Sequence, residues 1–225
     1  MDMYLQSLFA LETLLDNCGE RHWKSWVTRD IYLWESNKSV EHHLSAYGGM
    51  GSLNDLVLCP ENEHQMTKDQ VPWANDLLME LLSLCSYFAR WPQKTVRLGS
   101  TDKMQIQGSR CLSCGYSELT MYDIENFISR RLVRNGIEQA IKSDKLVEFV
   151  PQVLSVSLPG IKDEREKIKN IALRSGISVT TRDGWVRPCP QCGNNDTAVY
   201  RWDKQGKSWF TKFVPASNNL SIKQR

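Results

Sequence analysis

The chain contains no run of about 18–20 consecutive apolar residues, so no helix is expected to cross a bilayer. Its first twenty residues, MDMYLQSLFALETLLDNCGE, carry acids where a secretion signal would carry Lys or Arg. Their apolar positions are periodic rather than continuous, which points to the cytoplasm. There is no Gly-Lys-Ser/Thr, no GxSxG and no HExxH, so P-loop, nucleophile-elbow and zincin chemistries have no support. Nor is there a low-complexity tract or an internal repeat with a period of roughly 20–50 residues. What remains is ordinary globular composition: 225 residues, 41% hydrophobic and 24% charged, enough for one or two domains.

The net charge of +2 hides a polarity. Residues 1–99 hold 8 Lys+Arg against 13 Asp+Glu, a balance of −5, and the remainder holds 20 against 13, a balance of +7. Such asymmetry suggests two modules and leaves a polyanionic partner open for the second. The seven cysteines are an odd number for a disulfide framework, and in a reducing compartment paired cysteines are metal ligands more often than bridges. Cys18, Cys59 and Cys85 stand alone, whereas Cys111, Cys114, Cys189 and Cys192 come as two pairs.

The first third reads as helical. Tyr4, Leu8, Leu11 and Leu15 share one face of a 3.6-residue period with Gly19 at the capping position, and Trp23, Trp26, Val27, Ile31 and Trp34 repeat the pattern. Pro72 opens the strongest helix, whose apolar stripe runs from Trp73 to Phe88 and ends before Pro92. From about residue 94 the texture changes. MQIQG alternates like a strand, helices are expected over about 122–144 and 163–176, and Gly136 is placed to bend the first. ISVTTRDGWVRP reads as strand, turn, strand, and the segments around Ala198–Trp202 and SWFTKFV form a hairpin. The expected class is mainly α with a smaller β part (α+β). A helical module covers 1–93 and a metal-binding α+β module covers 94–225, with helices inserted between the cysteine pairs.

Cys111-Leu-Ser-Cys114-Gly115 and Cys189-Pro-Gln-Cys192-Gly193 are two copies of one device. Two residues between thiolates set both sulfurs on one side of a tight turn, and the following glycine lets backbone N–H groups point at them. Two such turns complete a tetrahedral shell of four thiolates, a closed shell that suits one structural Zn2+. All four histidines lie at or before residue 64, so none competes as a nearby ligand. The motif resembles the zinc ribbon, in which each knuckle sits at the turn of a hairpin. The spacing departs from it, because 74 residues separate Cys114 from Cys189 where a compact ribbon has about 15–20. The alternative is two unrelated reduced CxxC pairs, one of them redox active. Pro188-Cys189-Pro-Gln-Cys192 also matches half of a zinc-deaminase signature, but the HxE half is absent.

In Ala46-Tyr-Gly-Gly-Met-Gly-Ser52, Gly48, Gly49 and Gly51 permit positive φ, and Ser52 with Asp55 can cap a following turn. A structural turn is expected here, and a phosphate cradle is the alternative. The string Cys18-Gly19-Glu20, Trp23, Trp26, Asp30, then Ser45 to Ser52 and Asn54 to Leu58, resembles an uncharacterised bacterial domain family with an FGGMGSFND-type segment after a Trp-rich helix. Tyr47 and Leu53 replace its commoner phenylalanines. The resemblance covers about residues 10–90 and carries no established activity. It implies a partner-binding role, such as an immunity or accessory protein.

His42, His43 and His64 with Asp55, Cys59, Glu61 and Glu63 could form a second metal or acid–base site, although adjacent histidines on a helix point apart. Arg130, Arg131 and Arg134 stand at helical spacing between the knuckles, and Trp202 and Trp209 lie on the terminal hairpin. These five are the candidate contacts for a partner or for nucleic acid. The functional expectation is a non-enzymatic cytoplasmic zinc protein that binds another protein, with toxin neutralisation as its sharpest form. Its rival is a nucleic-acid-binding zinc protein that uses the basic half.

Overall fold

A computed structural model describes residues 2–92, 104–155, 161–181, 188–205 and 208–215, and from residue 202 onward it describes the backbone alone. Seven α-helices lie in the described residues: α1 (Met3–Asn17), α2 (Arg21–Asn37), α3 (Glu41–Ser45), α4 (Val71–Arg90), α5 (Met121–Lys142), α6 (Leu146–Leu154) and α7 (Ile161–Arg174). Five strands join them: β1 (Ile106–Cys111), β2 (Ser117–Thr120), β3 (Ser178–Thr180), β4 (Thr197–Gln205) and β5 (Ser208–Pro215). The class is mainly α with a smaller β part. None of the described helices is long and apolar enough to cross a membrane.

Two compact units divide the chain, and the division is not linear in sequence. Unit 1 comprises 1–98 and 132–159, and unit 2 comprises 99–131 and 160–225. The sequence places 132–159 in the second module, but α6 packs against α1 and α4. Counted over these units the charge polarity persists: 11 Lys+Arg against 16 Asp+Glu in unit 1, and 17 against 10 in unit 2.

Unit 1 is built around α1, which packs on α2, α4 and α6. Leu8, Leu11, Leu14 and Leu15 are fully buried, as are Leu77, Leu81 and Phe88 of α4 and Val150 and Val153 of α6, the helices that α1 packs on. The Asp2 carboxylate accepts the Leu5 N–H and starts α1. Gly19, at φ +71°, follows the Cys18 cap and ends it. α5 is continuous through Gly136. Glycine is there for space: a Cβ would sit 2.0 Å from Cζ of Phe149 on α6. Helix α6 was not legible in the sequence because it is short and contains Pro151.

Unit 2 holds a mixed sheet in the order β3-β2-β1-β4-β5. β1 pairs antiparallel with β2 and β4, β4 antiparallel with β5, and β2 parallel with β3. β2 ends at Thr120, whose hydroxyl accepts the Asp123 N–H while Asp123 accepts the Thr120 N–H. This reciprocal cap turns the strand directly into α5. Ile106, Leu119, Ile124, Phe127, Ile128, Ile168 and Ala172 form the apolar core of unit 2. The second half of the expected ISVTTRDGWVRP hairpin falls outside the described residues.

Candidate metal centre

Both knuckles use the same backbone bonds. The Cys111 N–H donates to Tyr116 O at 2.8 Å and the Gly115 N–H to Cys111 O at 3.0 Å; the Cys189 N–H donates to Asn194 O at 2.8 Å and the Gly193 N–H to Cys189 O at 2.9 Å. Gly115 and Gly193 have φ of +78° and +72°, which closes each turn at little cost only for glycine. The first knuckle joins β1 to β2 and the second leads into β4. Because β1 pairs with β4, opposing Cys111 to Thr197, the two knuckles come side by side at one end of the sheet. The Leu112 N–H, donating to Asp196 O at 2.9 Å, ties them together.

This register brings together cysteines 78 positions apart (111 and 189). Their four sulfurs lie within 4.8 Å of one another, with Cys111–Cys192 at 3.6 Å and Cys114–Cys189 at 3.8 Å. A tetrahedron with metal–sulfur bonds of about 2.3 Å has edges of about 3.8 Å. A disulfide would need about 2.05 Å. The spacing therefore fits four corners around one ion, and the donor set fits a thiophilic one. Cys111 and Cys189 are buried, whereas Cys114 and Cys192 are exposed.

The ionisation of these thiols follows the same geometry. The Cys114 N–H, then that of Ser113, stabilises the Cys111 thiolate and brings its pKa down to about 7. The Asn194 N–H pulls Cys192 in the same direction. Cys114, loss of solvent, Cys111 and Cys189 oppose it and carry Cys192 up to about 12. Four thiols this close cannot all ionise without a cation between them.

Elsewhere the structure redistributes the sequence candidates. His42, His43, His64, Asp55, Cys59, Glu61 and Glu63 do not converge, and among the described residues the four cysteines are the one metal-capable cluster. His64 caps instead: its Nε2 meets Glu20 Oε2 at 3.1 Å, and its Nδ1 accepts the Cys59 N–H at 3.2 Å. Glu61 pairs with Lys68. His42 and His43 do not point apart. Their Nδ1 atoms reach the two oxygens of one buried carboxylate, Asp30, at 2.5 and 2.8 Å, because the single turn of α3 lies across it. From His43 the chain continues through the Tyr47 hydroxyl at 2.9 Å, which donates to Leu82 O on α4. His42 also stacks on Trp26, centroids 4.2 Å apart. The signal for this cluster was the position of Asp30, an acid between Val27 and Trp34 on the apolar stripe of α2.

Gly48, Gly49 and Gly51 have φ of +94°, +97° and +79°. Asp55 Oδ2 accepts the N–H groups of Gly51 at 2.9 Å and Ser52 at 3.2 Å. The protein's own carboxylate therefore occupies the donors a phosphate would use. Met50, at the tip of this loop, is wholly exposed. Arg131 pairs with Glu164 at 2.8 Å and Arg134 with Glu80 at 2.9 Å, whereas the exposed Arg130 turns its Nε back to Asn126 O. The side chains of Trp202 and Trp209 lie outside the described residues.

Residues 16–67 match the profile of a family described as a domain of unknown function, DUF6966. The match spans α2, α3, the glycine loop and His64, and stops short of the four knuckle cysteines. No curated protein and no solved structure matches the chain.

Proposed function

We propose that this chain is a non-enzymatic, cytoplasmic zinc protein that recognises another protein, and that toxin neutralisation or a defence-associated role is its sharpest form. Four thiolates in a tetrahedral arrangement suit zinc, and they leave no open position for a substrate or an activated water. The metal's role is then to hold unit 2 together. Recognition falls to the loop of residues 48–52. The observation that carries this reading is Met50: a flexible apolar side chain, wholly exposed, on a turn fixed at its base by Asp55 and within the family-matched segment.

A photo-crosslinking residue placed at position 50 tests it in the cells that make the protein. One discrete adduct is expected. The underlying complex should survive about 0.5 M salt, where charge attraction is screened beyond a few ångströms, and should be lost in Met50→Asp. A scatter of weak adducts, or a complex dissolved by salt, contradicts the reading. A second reading, nucleic-acid binding through unit 2, is favoured by one observation: the excess of cations there, 17 against 10 acids.

A further inference from the structure

The excess charge of unit 2 is not spread evenly. Along the α5–α7 pair, acids and bases cancel: Arg131 with Glu164, Arg165 with Glu125, and Lys169 with Glu166. Beyond Glu166 the chain has no acid until Asp183, while Lys167, Lys169, Arg174 and Arg182 follow one another. Lys167 and Arg174, seven residues apart on the exposed side of α7, have no acidic partner among the described residues. Asp163, one turn before Lys167, is not within ion-pair reach of it. With Asn170 and Leu173, these two cations form one wall of an open groove of about 420 Å3. Leu173 is 49% exposed there.

We infer that this groove on α7 holds a single strand of nucleic acid, with Lys167 and Arg174 on two of its phosphates. The inference rests on the second reading above and gives it a location away from the ion-paired arginines of α5. Seven residues of helix separate the two cations by about 10 Å along the axis. That is too far to clasp one phosphate, so a free phosphate ion is not the ligand; it suits two phosphates of one chain. Between them, Leu173 offers an apolar surface and Asn170 an amide, contacts that an unpaired base can use and a stacked duplex cannot.

Fluorescence anisotropy on the metal-loaded full chain tests this, with labelled oligonucleotides of about 12 nucleotides, DNA and RNA, single-stranded and duplex. Single strands should bind at low salt more tightly than the duplex. The double variant Lys167→Gln/Arg174→Gln should weaken binding about tenfold or more and reduce the slope of log K against log salt by about 1.4, roughly 0.7 for each lost phosphate contact. Lys24→Gln, in unit 1, should leave the slope unchanged. Both substituted side chains are exposed, and unchanged metal content verifies the fold. Strand binding with an unaltered slope in the double variant overturns the groove but leaves nucleic-acid binding to another surface. No binding by the unsubstituted protein overturns both. Duplex binding as tight as strand binding overturns the single-strand assignment.

Discussion

Gly136 and Asp30 show how a single side chain, or the lack of one, fixes unit 1. Alanine normally gains about 1 kcal/mol over glycine inside a helix. Here the added Cβ would meet the Phe149 ring at 2.0 Å, so Gly136→Ala should instead cost about 1–3 kcal/mol in urea unfolding. Adding Phe149→Leu should return part of it. A more stable Gly136→Ala would mean that α6 does not pack over this position. Asp30 is 1% exposed and accepts from two histidines. Asp30→Asn leaves one of them without its acceptor and should destabilise unit 1 by about 3 kcal/mol, with metal content unchanged. Glu20 adds a pH dependence. Desolvation pushes its carboxyl up, but the Trp23 N–H, the His64 ring and the His22 N–H outweigh it and hold it below the ordinary value. A depressed acid stabilises the fold above its unfolded-state pKa, and that contribution disappears as pH falls through the lower, folded value. Acid unfolding of Glu20→Gln should therefore be shallower below about pH 4.3, the ordinary glutamate value.

At the scale of the element, the glycine loop and the knuckles are both turns, held in different ways. The loop is clamped by Asp55, and a Cβ at Gly49 would meet nothing within 4 Å. Gly49→Val should thus cost only backbone strain at φ +97°, about 1–2 kcal/mol, read as a lower melting temperature. ATP, GTP and phosphate should give no thermal shift in the unsubstituted protein. A gain of several degrees that Gly49→Val abolishes would reinstate a ligand site. These turns were legible in the sequence because Gly, Ser and Asp mark them locally, as did the long helices α1, α2 and α4 through their period. What was not legible depends on distance. The His42–His43–Asp30 convergence requires α3 to lie across α2, and α6 carries a proline in a nine-residue helix. The parallel pairing of β2 with β3 joins strands about 60 residues apart, with no local mark.

Over the whole molecule, the cysteine pairs are close in space because β1 and β4 are neighbours, although the residues between the knuckles divide between two units. Losing the metal should therefore act on one unit. Cys111→Ser or Cys189→Ser should abolish hydrogen-exchange protection in β1, β2, β3, β4 and α7 while α1, α2, α4 and α6 stay protected. Simultaneous melting of both would show that they do not fold independently. The central claim is that four thiolates close around one ion, and elemental analysis of protein purified under reducing conditions tests it most directly. The account predicts about one zinc per chain, released by chelator together with the structure of unit 2. A folded, metal-free protein with Cys111, Cys114, Cys189 and Cys192 all titrating as free thiols would contradict it.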